Sequence, residues 1–299
     1  MKITAILFLL ITGLTFQSCE QKNTIETLAE AIAKELAKNH GTFAVALKDL
    51  SNDETLFINE KMKFHAASTM KTPVMIEVYK QAAAGNFALT DSIVVKNEFK
   101  SIVDGSPYSL SVADDSEQEL YQQVGTKRTI AELVYDMIIV SSNLATNIVI
   151  ELVDATNVTQ TMRSLGANDI EVLRGVEDQK AFDQGLSNST TAYDLMVMFE
   201  ALAKGEVVSK EASDEMINIL LDQRFNDIIP VHLPKEVKVA HKTGSITGVH
   251  HDSGIIMLPD GRQYVLVLLS KELDDFDAGT AAMANVSALI YNYMMEGKK

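Results

Sequence analysis

One serine in the chain is followed three residues later by a lysine, and this pair, Ser68 and Lys71, stands at the head of an apolar segment. The segment predicts a helix from residue 68 to about residue 84, which places both side chains on one face of its first turn. A lysine with a lowered pKa can remove the hydroxyl proton and turn the serine into a nucleophile. The simpler alternative is a serine that caps the helix beside a solvated lysine.

Two further motifs carry groups that could serve the same reaction. Ser141-Ser142-Asn143 falls in a turn between two predicted helices, and Lys242-Thr243-Gly244 ends a predicted strand. The first offers hydroxyls and an amide, and the second offers a positive charge, a hydroxyl and a glycine that suits close approach of a ligand to a strand edge. Each motif alone is weak. Three motifs in this order, each in a matching element, favour a nucleophile over a helix cap.

Hydrophobic periodicity predicts the elements that must position these motifs. The predicted helices cover residues 23–40, 68–84, 129–140, 144–153, 157–165, 190–203, 209–222 and 278–295. The predicted strands cover residues 42–50, 54–59, 170–173, 237–242, 253–258 and 263–269. Residues 86–128 are expected to be mostly loop with one short helix, and residues 174–188 to be an ordered loop.

This order predicts an α/β (α+β) fold. An antiparallel sheet of about five strands is built from both ends of the chain and flanked by N- and C-terminal helices, with an all-helical lobe inserted. With 299 residues, 46% of them hydrophobic, and no linker, one catalytic domain over residues 20–299 is expected. Its α/β lobe covers residues 20–62 and 223–299, its helical lobe covers residues 63–222, and the active site lies between the lobes.

The N-terminus predicts an exported protein. Residues 1–19 contain Lys2, an apolar run and Ser18-Cys19, which is typical of a secretory signal and too short for a comfortable membrane span. Cys19 is the only cysteine, so no disulfide can form within the chain. It resembles the lipid-attachment cysteine of bacterial lipoproteins; the alternative is an ordinary signal cut nearby. We expect a periplasmic protein or a membrane-anchored lipoprotein that touches the membrane only through this anchor.

The set and order of the three motifs resemble the class A serine β-lactamases and the related penicillin-binding proteins, and the resemblance covers essentially the whole chain after the signal. It implies that Ser68 attacks a strained amide carbonyl and becomes acylated, while Lys71 takes its proton directly or through water. Ser141 would relay a proton to the departing nitrogen. Asn143 would hold the substrate's amide and Lys71.

The same resemblance implies a binding strand. Lys242 would attract an anionic substrate and help to keep Lys71 neutral, and Thr243 would offer its hydroxyl to the substrate carboxylate. Gly244 and Ser245 would follow on the strand. The backbone N–H groups of Ser68 and Ser245 would form the oxyanion hole, as they do in the family.

Release of the acyl group needs a base that activates water. In class A enzymes a glutamate on a loop does this, and Glu177, 36 positions after Ser141 (177 − 141), stands where that loop should be. The segment 188–191 resembles the closing part of the loop, and Arg174 is a candidate anchor for it. The alternative is a surface glutamate in an acidic protein.

Five departures from the family pattern limit what can be transferred. Ser142 replaces the usual aspartate of the second motif, and Ala181 stands where many members carry an asparagine that helps to hold the hydrolytic water. The loop around Glu177 is about two residues short. Roughly a dozen extra residues fall between 90 and 125 and should rim the cleft. Ser253 occupies the place of an arginine that grips the carboxylate in many relatives.

The sequence therefore predicts an exported serine hydrolase that opens β-lactam rings through an acyl-enzyme on Ser68, with Glu177 assisting deacylation. The alternatives are a D-Ala-D-Ala carboxypeptidase or a similar acyl hydrolase with weak lactamase activity, and a non-catalytic binding protein of the cell envelope. We expect a monomer that acts on a small molecule, either a β-lactam or a peptidoglycan-like acyl-D-Ala-D-Ala, and needs no cofactor.

Two classes of ligand are not expected. The net charge of −15, with no basic cluster to offset it, argues against nucleic acid. The stretch His250-His251-Asp252 could suggest a metal, but adjacent side chains on a strand point in opposite directions and no third ligand follows at useful spacing. One of these histidines could still lie near the cleft and contact an anionic ligand.

Overall fold

The computed structural model describes residues 24–296; the expected signal segment with Cys19 lies outside this range. The α-helices are α1 (Ile25–Leu36), α2 (Lys71–Ala83), α3 (Ile130–Ile139), α4 (Asn143–Val153), α5 (Ala155–Ser164), α6 (Gln179–Asp183), α7 (Ala192–Ala203), α8 (Lys210–Leu221) and α9 (Phe276–Glu296). The strands are β1 (Thr42–Asp49), β2 (Thr55–Ile58), β3 (Phe64–His65), β4 (Ser92–Val94), β5 (Phe99–Lys100), β6 (Pro107–Tyr108), β7 (Lys127–Thr129), β8 (Ser189–Thr190), β9 (Lys238–Ile246), β10 (Val249–Met257) and β11 (Gln263–Lys271). Between residues 24 and 296, no helix is long and apolar enough to cross a membrane.

The main sheet joins the two ends of the chain. Its strand order is β2-β1-β11-β10-β9, and every neighbouring pair is antiparallel. The N-terminal hairpin meets the C-terminal strands through β1 and β11, which pair from Thr42 with Lys271 to Asp49 with Tyr264. This confirms the predicted antiparallel sheet of five strands and leaves β9 at one edge.

Each face of the sheet has its own core because side chains alternate along a strand. On β1, Val45 and Leu47 pack with α1 and α9, whereas Ala44 and Ala46 face the helices of the inserted segment. Helix α2 runs through that second core and is buried without a break from Lys71 to Tyr79. The lysine of the first motif therefore lies inside the protein.

The inserted segment is not purely helical. Short antiparallel pairs join β3 with β8, β4 with β7, and β5 with β6, and the last two pairs organise the segment that was expected to be mostly loop. Each strand has only two or three residues, too few for periodicity to reveal. The loop expected at 174–188 likewise contains α6.

The strand expected at residues 170–173 is reduced to a single bridge between Glu171 and Ser189. Side chains take the backbone N–H groups that a ladder would have used: Asp194 accepts from Ile170, Thr159 from Val172, and Asn188 from Leu173. This competition between side-chain and ladder hydrogen bonds explains the missing strand. In contrast, β9 is longer than expected and includes Thr243, Gly244 and Ser245, because its hairpin with β10 closes only after Ile246.

Candidate active site

Ser68 lies in a 3₁₀ turn, Ala67–Met70, that leads directly into α2. The backbone N–H of Lys71 donates to the carbonyl of Ser68, and residues three apart in such a turn are eclipsed, so both side chains lie on one side of the backbone. The residues at the cap positions are Ala66 and Met70, neither with a side-chain cap bond. Lys71 is 0% exposed. The alternative of a helix-capping serine beside a solvated lysine is therefore wrong.

The amine of Lys71 is held by the second motif. Its Nζ donates to the carbonyl of Ser141 at 2.7 Å, to Oγ of Ser141 at 3.1 Å and to Oδ1 of Asn143 at 3.0 Å. Burial lowers the pKa of Lys71 to about 7, while the negative charges of Asp115 and Glu177 act in the opposite direction. A neutral amine can donate to two of these three acceptors at a time and has a lone pair that can accept a hydroxyl proton.

Ser141 links the two buried lysines. Its Oγ accepts from Nζ of Lys71 and from Nζ of Lys242, each at 3.1 Å, and Lys242 also donates to the carbonyl of Thr243 at 2.9 Å. Burial and the positive charge of Lys71 lower the pKa of Lys242, against the attraction of Asp252. Two lysines that share one hydroxyl disfavour double protonation. The arrangement therefore supports exchange of a proton through the Ser141 hydroxyl.

The edge strand β9 packs tightly against the turn that carries Ser68. A Cβ at Gly244 would lie 3.0 Å from the backbone nitrogen of Ser68 and 3.0 Å from that of Thr69. A close approach to this glycine was predicted for a ligand; in the structure the backbone of Ser68 and Thr69 already lies that close to it. It brings Ser245, the expected second oxyanion donor, to the same cleft as Ser68.

Two adjoining cavities form the cleft, and Ser68, Asn143 and Ser245 line both of them. The first has a volume of about 360 Å³ and extends toward Glu177 and Phe182. The second has a volume of about 340 Å³ and extends along Thr243 to other side chains, which are Asp114, Ser116, Phe225, Asp227, His250 and Phe276. The cleft thus has room for a small molecule on either side of Ser68.

Glu177 faces the first cavity with both carboxylate oxygens engaged. Its Oε1 accepts from Nδ2 of Asn143 at 2.9 Å, and its Oε2 accepts from the backbone N–H of Ser111 at 3.1 Å. Burial raises the pKa of Glu177; these two bonds act against that rise, and the charges of Asp114 and Asp115 add to it. Asn143 therefore bridges the lysine beside Ser68 and the carboxylate expected to release the acyl group.

Asn147, one helical turn after Asn143, fixes the backbone next to Glu177. Its Oδ1 accepts from the N–H of Val176 at 2.6 Å and its Nδ2 donates to the carbonyl of Val176 at 3.0 Å. A Cβ at Gly175 would lie 2.3 Å from this Oδ1, so only glycine allows the contact. Asn147 was not predicted from the sequence, although its spacing of four residues from Asn143 was a usable signal.

Arg174 and Asn188 close the Glu177 loop at its base. Oδ1 of Asn188 accepts from the backbone N–H of Leu173 at 2.8 Å and of Arg174 at 3.2 Å. The Arg174 side chain donates to the carbonyl of Leu186 at 2.9 Å and to that of Gly175 at 2.9 Å. These contacts are those expected of Arg174 as an anchor of the loop, and from the segment 188–191 they involve Asn188.

The stretch between residues 90 and 125, where extra residues were expected, braces the same loop from outside. The buried carboxylate of Asp178 accepts from the Ser101 hydroxyl and from the Ile102 N–H, both at 2.9 Å. Farther out, the amine of Lys180 donates to Asp104 at 2.8 Å. Two other members of the expected extra residues, Asp114 and Ser116, line the second cavity, so this stretch both reaches the cleft and holds the loop that carries Glu177. No local pattern in the sequence predicted this contact.

Ala181 and Ser253, two of the departures from the family pattern, are both buried, and neither lines a cavity of the cleft. The two histidines point apart, as predicted: His250 stacks on Phe276 with ring centroids 4.6 Å apart, whereas Nε2 of His251 lies 2.8 Å from the carbonyl oxygen of His65. Among residues 24–296, no group of three or more His, Cys, Asp or Glu side chains is arranged to hold a metal ion.

Five of the eight non-glycine residues with positive φ angles among residues 24–296 lie elsewhere in the fold, but the other three lie at the cleft. Three non-glycine residues there have positive φ angles: Ala67 at 45°, Ser141 at 57° and Glu177 at 60°. A residue in this region costs about 1–3 kcal/mol and persists only where its surroundings hold it, which is common at functional sites. Two of the three are expected catalytic residues, and the third immediately precedes Ser68.

Comparison with known proteins agrees with this geometry. The profile of the β-lactamase enzyme family matches residues 27–294. The chain is 23% identical to Beta-lactamase VEB-1 of Pseudomonas aeruginosa over an alignment of 309 positions that covers 99% of each protein. The solved β-lactamase of Sphaerobacter thermophilus is 30% identical with a TM-score of 0.77, covering 91% of this chain and 98% of that one. A mutant of PBP-A in an acyl-enzyme complex with penicillin-G is 24% identical, with a TM-score of 0.77 and coverage of 91% and 97%, and shows the fold alone. The chain belongs to the β-lactamase enzyme family.

Proposed function

We propose that this chain is an exported serine β-lactamase of the class A type, which forms an acyl-enzyme on Ser68 and releases it with the help of Glu177. One observation carries the proposal. A fully buried lysine with a lowered pKa lies one turn from Ser68 and shares Ser141 with a second buried lysine. Desolvated lysines of this kind activate hydroxyl nucleophiles.

In the first step, neutral Lys71 accepts the hydroxyl proton of Ser68, and the oxygen attacks the carbonyl carbon of the strained amide. The negative charge that develops on the carbonyl oxygen is stabilised by the N–H groups of Ser68 and Ser245. When the carbon–nitrogen bond breaks, the Ser141 hydroxyl passes a proton to the departing nitrogen and regains one from a neighbouring lysine. The ring is then open and the acyl group is bound to Ser68 as an ester.

In the second step, Glu177 removes a proton from a water molecule that attacks the ester carbonyl. The tetrahedral intermediate collapses, the Ser68 oxygen takes up a proton, and the opened product leaves. Asn143 supports both steps, since its amide contacts Lys71 on one side and Glu177 on the other. The carboxylate of an anionic substrate would bind near Thr243, which lines the second cavity.

A second candidate function has its own support. The buried Ala181 offers no side-chain amide to hold the hydrolytic water, and PBP-A has the same fold. A hydrolase that acts on acyl-D-Ala-D-Ala and releases β-lactams slowly would use the same Ser68 chemistry. The ratio of cephalosporin turnover to D-alanine release from a peptide separates the two functions.

Export and lipid attachment at Cys19 are part of the proposal and are supported by the pattern of residues 1–19. We propose a periplasmic or membrane-anchored enzyme that acts as a monomer. The lipid would be its single point of contact with the membrane.

The decisive experiment replaces Glu177 with glutamine, with Glu98→Gln as the control because Glu98 is exposed and lines neither cavity. After mixing with a cephalosporin, mass spectrometry should show a long-lived adduct on Ser68 in Glu177→Gln, and a fast, transient one in the wild type and the control. Turnover in Glu177→Gln should fall roughly 100-fold or more, as expected for loss of a general base. Unchanged turnover would remove Glu177 from the mechanism, and absence of any wild-type adduct would refute the acyl-enzyme itself.

A further inference from the structure

Asp115 is a buried acidic residue that the mechanism above does not use. It lies in the stretch between residues 90 and 125 where extra residues were expected. It is 4% exposed, and its carboxylate accepts four hydrogen bonds. Oδ2 accepts from the backbone N–H of Asn143 at 2.9 Å, from that of Leu144 at 2.8 Å and from the Tyr121 hydroxyl at 3.0 Å, while Oδ1 accepts from the N–H of Glu117 at 3.0 Å. One of these bonds reaches Asn143 of the second motif, and another reaches the next residue, Leu144.

These contacts complete the N-terminus of α4. The first N–H groups of a helix have no partner within it. Ser142 is the N-cap, but its Oγ accepts only from Ala145, at 3.1 Å. The two N–H groups before Ala145 belong to Asn143 and Leu144, and both donate to Asp115. A carboxylate at this end of a helix is also favoured by the helix dipole.

The placement matters because Asn143 is the first residue of α4. Its backbone is held by Asp115, while its side chain bridges Lys71 and Glu177. A shift of the first turn of α4 would move the Asn143 amide relative to both Lys71 and Glu177. A carboxylate from the inserted segment thus stands beside the position where Ser142 replaces an acidic residue, and it orients the group that joins the two catalytic side chains.

We propose that Asp115 is a positioning residue for the reaction proposed above: its charged carboxylate fixes the first turn of α4, and with it the Asn143 side chain that contacts both Lys71 and Glu177. The inference rests on that proposed function for its catalytic consequence. Its structural and electrostatic part can be measured without any substrate.

The charges around Lys71 predict whether loss of the Asp115 charge raises or lowers the pKa of Lys71. Asp115 from the inserted segment and Glu177 from its loop favour the protonated form of Lys71, whereas burial favours the neutral form. Lys242 on β9 is the positive neighbour, and its own pKa is lowered partly by Lys71. Tyr121, whose pKa is raised by burial and by Asp115, stays neutral and donates to the carboxylate. Loss of the Asp115 charge should therefore make Lys71 easier to deprotonate.

The test compares Asp115→Asn with Asp115→Glu, and uses Glu119→Gln as a control for an exposed charge on the same segment. The titration of Lys71 is followed by NMR of lysine labelled at the ε-carbon, with Lys71→Arg to assign the signal. Acylation rates are measured across the same pH range. The NMR readout does not require catalysis, so a wild type that forms no adduct refutes the proposed function and leaves this inference testable.

We expect Asp115→Asn to move the Lys71 titration and the acid limb of acylation to lower pH. We also expect its plateau acylation rate to fall by roughly 10- to 100-fold, because Asn143 is displaced. Asp115→Glu keeps the charge, so its titration should stay near that of the wild type while acylation slows. Glu119→Gln should change neither. An unshifted Lys71 titration in folded Asp115→Asn, or a wild-type acylation rate in Asp115→Glu, would overturn the proposal; the second variant remains decisive if the first does not fold.

Discussion

The amide of Asn147 holds the backbone beside Glu177 without contacting Ser68 or Lys71, so its removal should separate the two chemical steps. The side chain is 1% exposed and engages both the N–H and the carbonyl of Val176. It also donates to the Tyr108 hydroxyl at 3.2 Å. We predict that Asn147→Ala frees the Glu177 loop and leaves the acylation residues in place.

The magnitude follows from the bonds that are lost. The partly buried Val176 N–H loses its partner, whereas the Val176 carbonyl keeps the Tyr108 hydroxyl at 3.3 Å. One buried group left without a partner costs about 1–3 kcal/mol. A central value of about 2 kcal/mol corresponds to a roughly 30-fold shift in favour of a displaced loop. We therefore expect deacylation to slow by a factor of that order.

Rapid mixing with a chromogenic cephalosporin measures both steps, since the burst reports acylation and the steady state reports deacylation. Asn147→Ala should show a nearly unchanged burst and a much lower steady-state rate. Asn157→Ala is the matched control, because Asn157 also donates a side-chain bond to a backbone carbonyl, but that carbonyl, of Val153 at 2.9 Å, ends α4 and does not belong to the Glu177 loop. Equal losses in both steps, or no loss in either, would refute the assignment of Asn147 to the Glu177 loop.

A double-mutant cycle sharpens the test. Gly175→Ala alone should damage deacylation severely, because the new Cβ would lie 2.3 Å from Oδ1 of Asn147. In the Asn147→Ala background that atom is gone, so the same change at Gly175 should cost much less. Residues in direct contact show coupling energies of about 0.5–3 kcal/mol in such cycles. Additive effects would mean that the two residues do not meet as described.

Two further predictions concern acylation. Its rate should rise with pH and level off above about 7, because Lys71, whose pKa burial lowers to about 7, accepts a proton only in its neutral form; pre-steady-state rates that stay flat across this range would contradict the role of Lys71. Gly244→Ala should slow acylation and lower the free energy of unfolding by about 1–3 kcal/mol, because the added methyl group would press on the backbone nitrogens of Ser68 and Thr69. Urea denaturation and burst kinetics measure the two effects, and a wild-type burst would show that β9 tolerates the displacement.

The parts of the molecule that the sequence predicted are those governed by local patterns. Strand alternation in β1 and β11 and the apolar stripes of α1 and α9 identify the sheet and its flanking helices, because burial imposes a period that is visible in any short window. The Ser68 turn was recognised from two residues. Its exact form, a 3₁₀ turn and not the first turn of an α-helix, depends on how β9 packs against it.

The contacts that hold Glu177 and Asn143 in place could not be predicted from local patterns in the sequence. Asp115 looks like one member of an acidic loop, and Asp178 looks like another surface charge, until folding buries both against backbone N–H groups far away in sequence. The strand expected at residues 170–173 failed for a related reason, since side chains of Asp194 and Asn188 satisfy its N–H groups. A hydrogen bond between a polar side chain and a backbone group far away in the sequence produces no periodic pattern from which it could be predicted.

The half of the site that contains the two lysines and the half that contains Glu177 are therefore held in place by different kinds of contact. Lys71 and Lys242 belong to a buried helix and to a strand of the main sheet, so changes that disturb them also disturb the core. Glu177 belongs to a loop held by a few polar bonds from α4 and from the inserted segment, and each bond can be lost while the fold survives. In the proposed mechanism, hydrolysis needs both halves and trapping of a β-lactam needs only the first, so single changes around the loop should convert a hydrolase into a protein that captures penicillin and holds it.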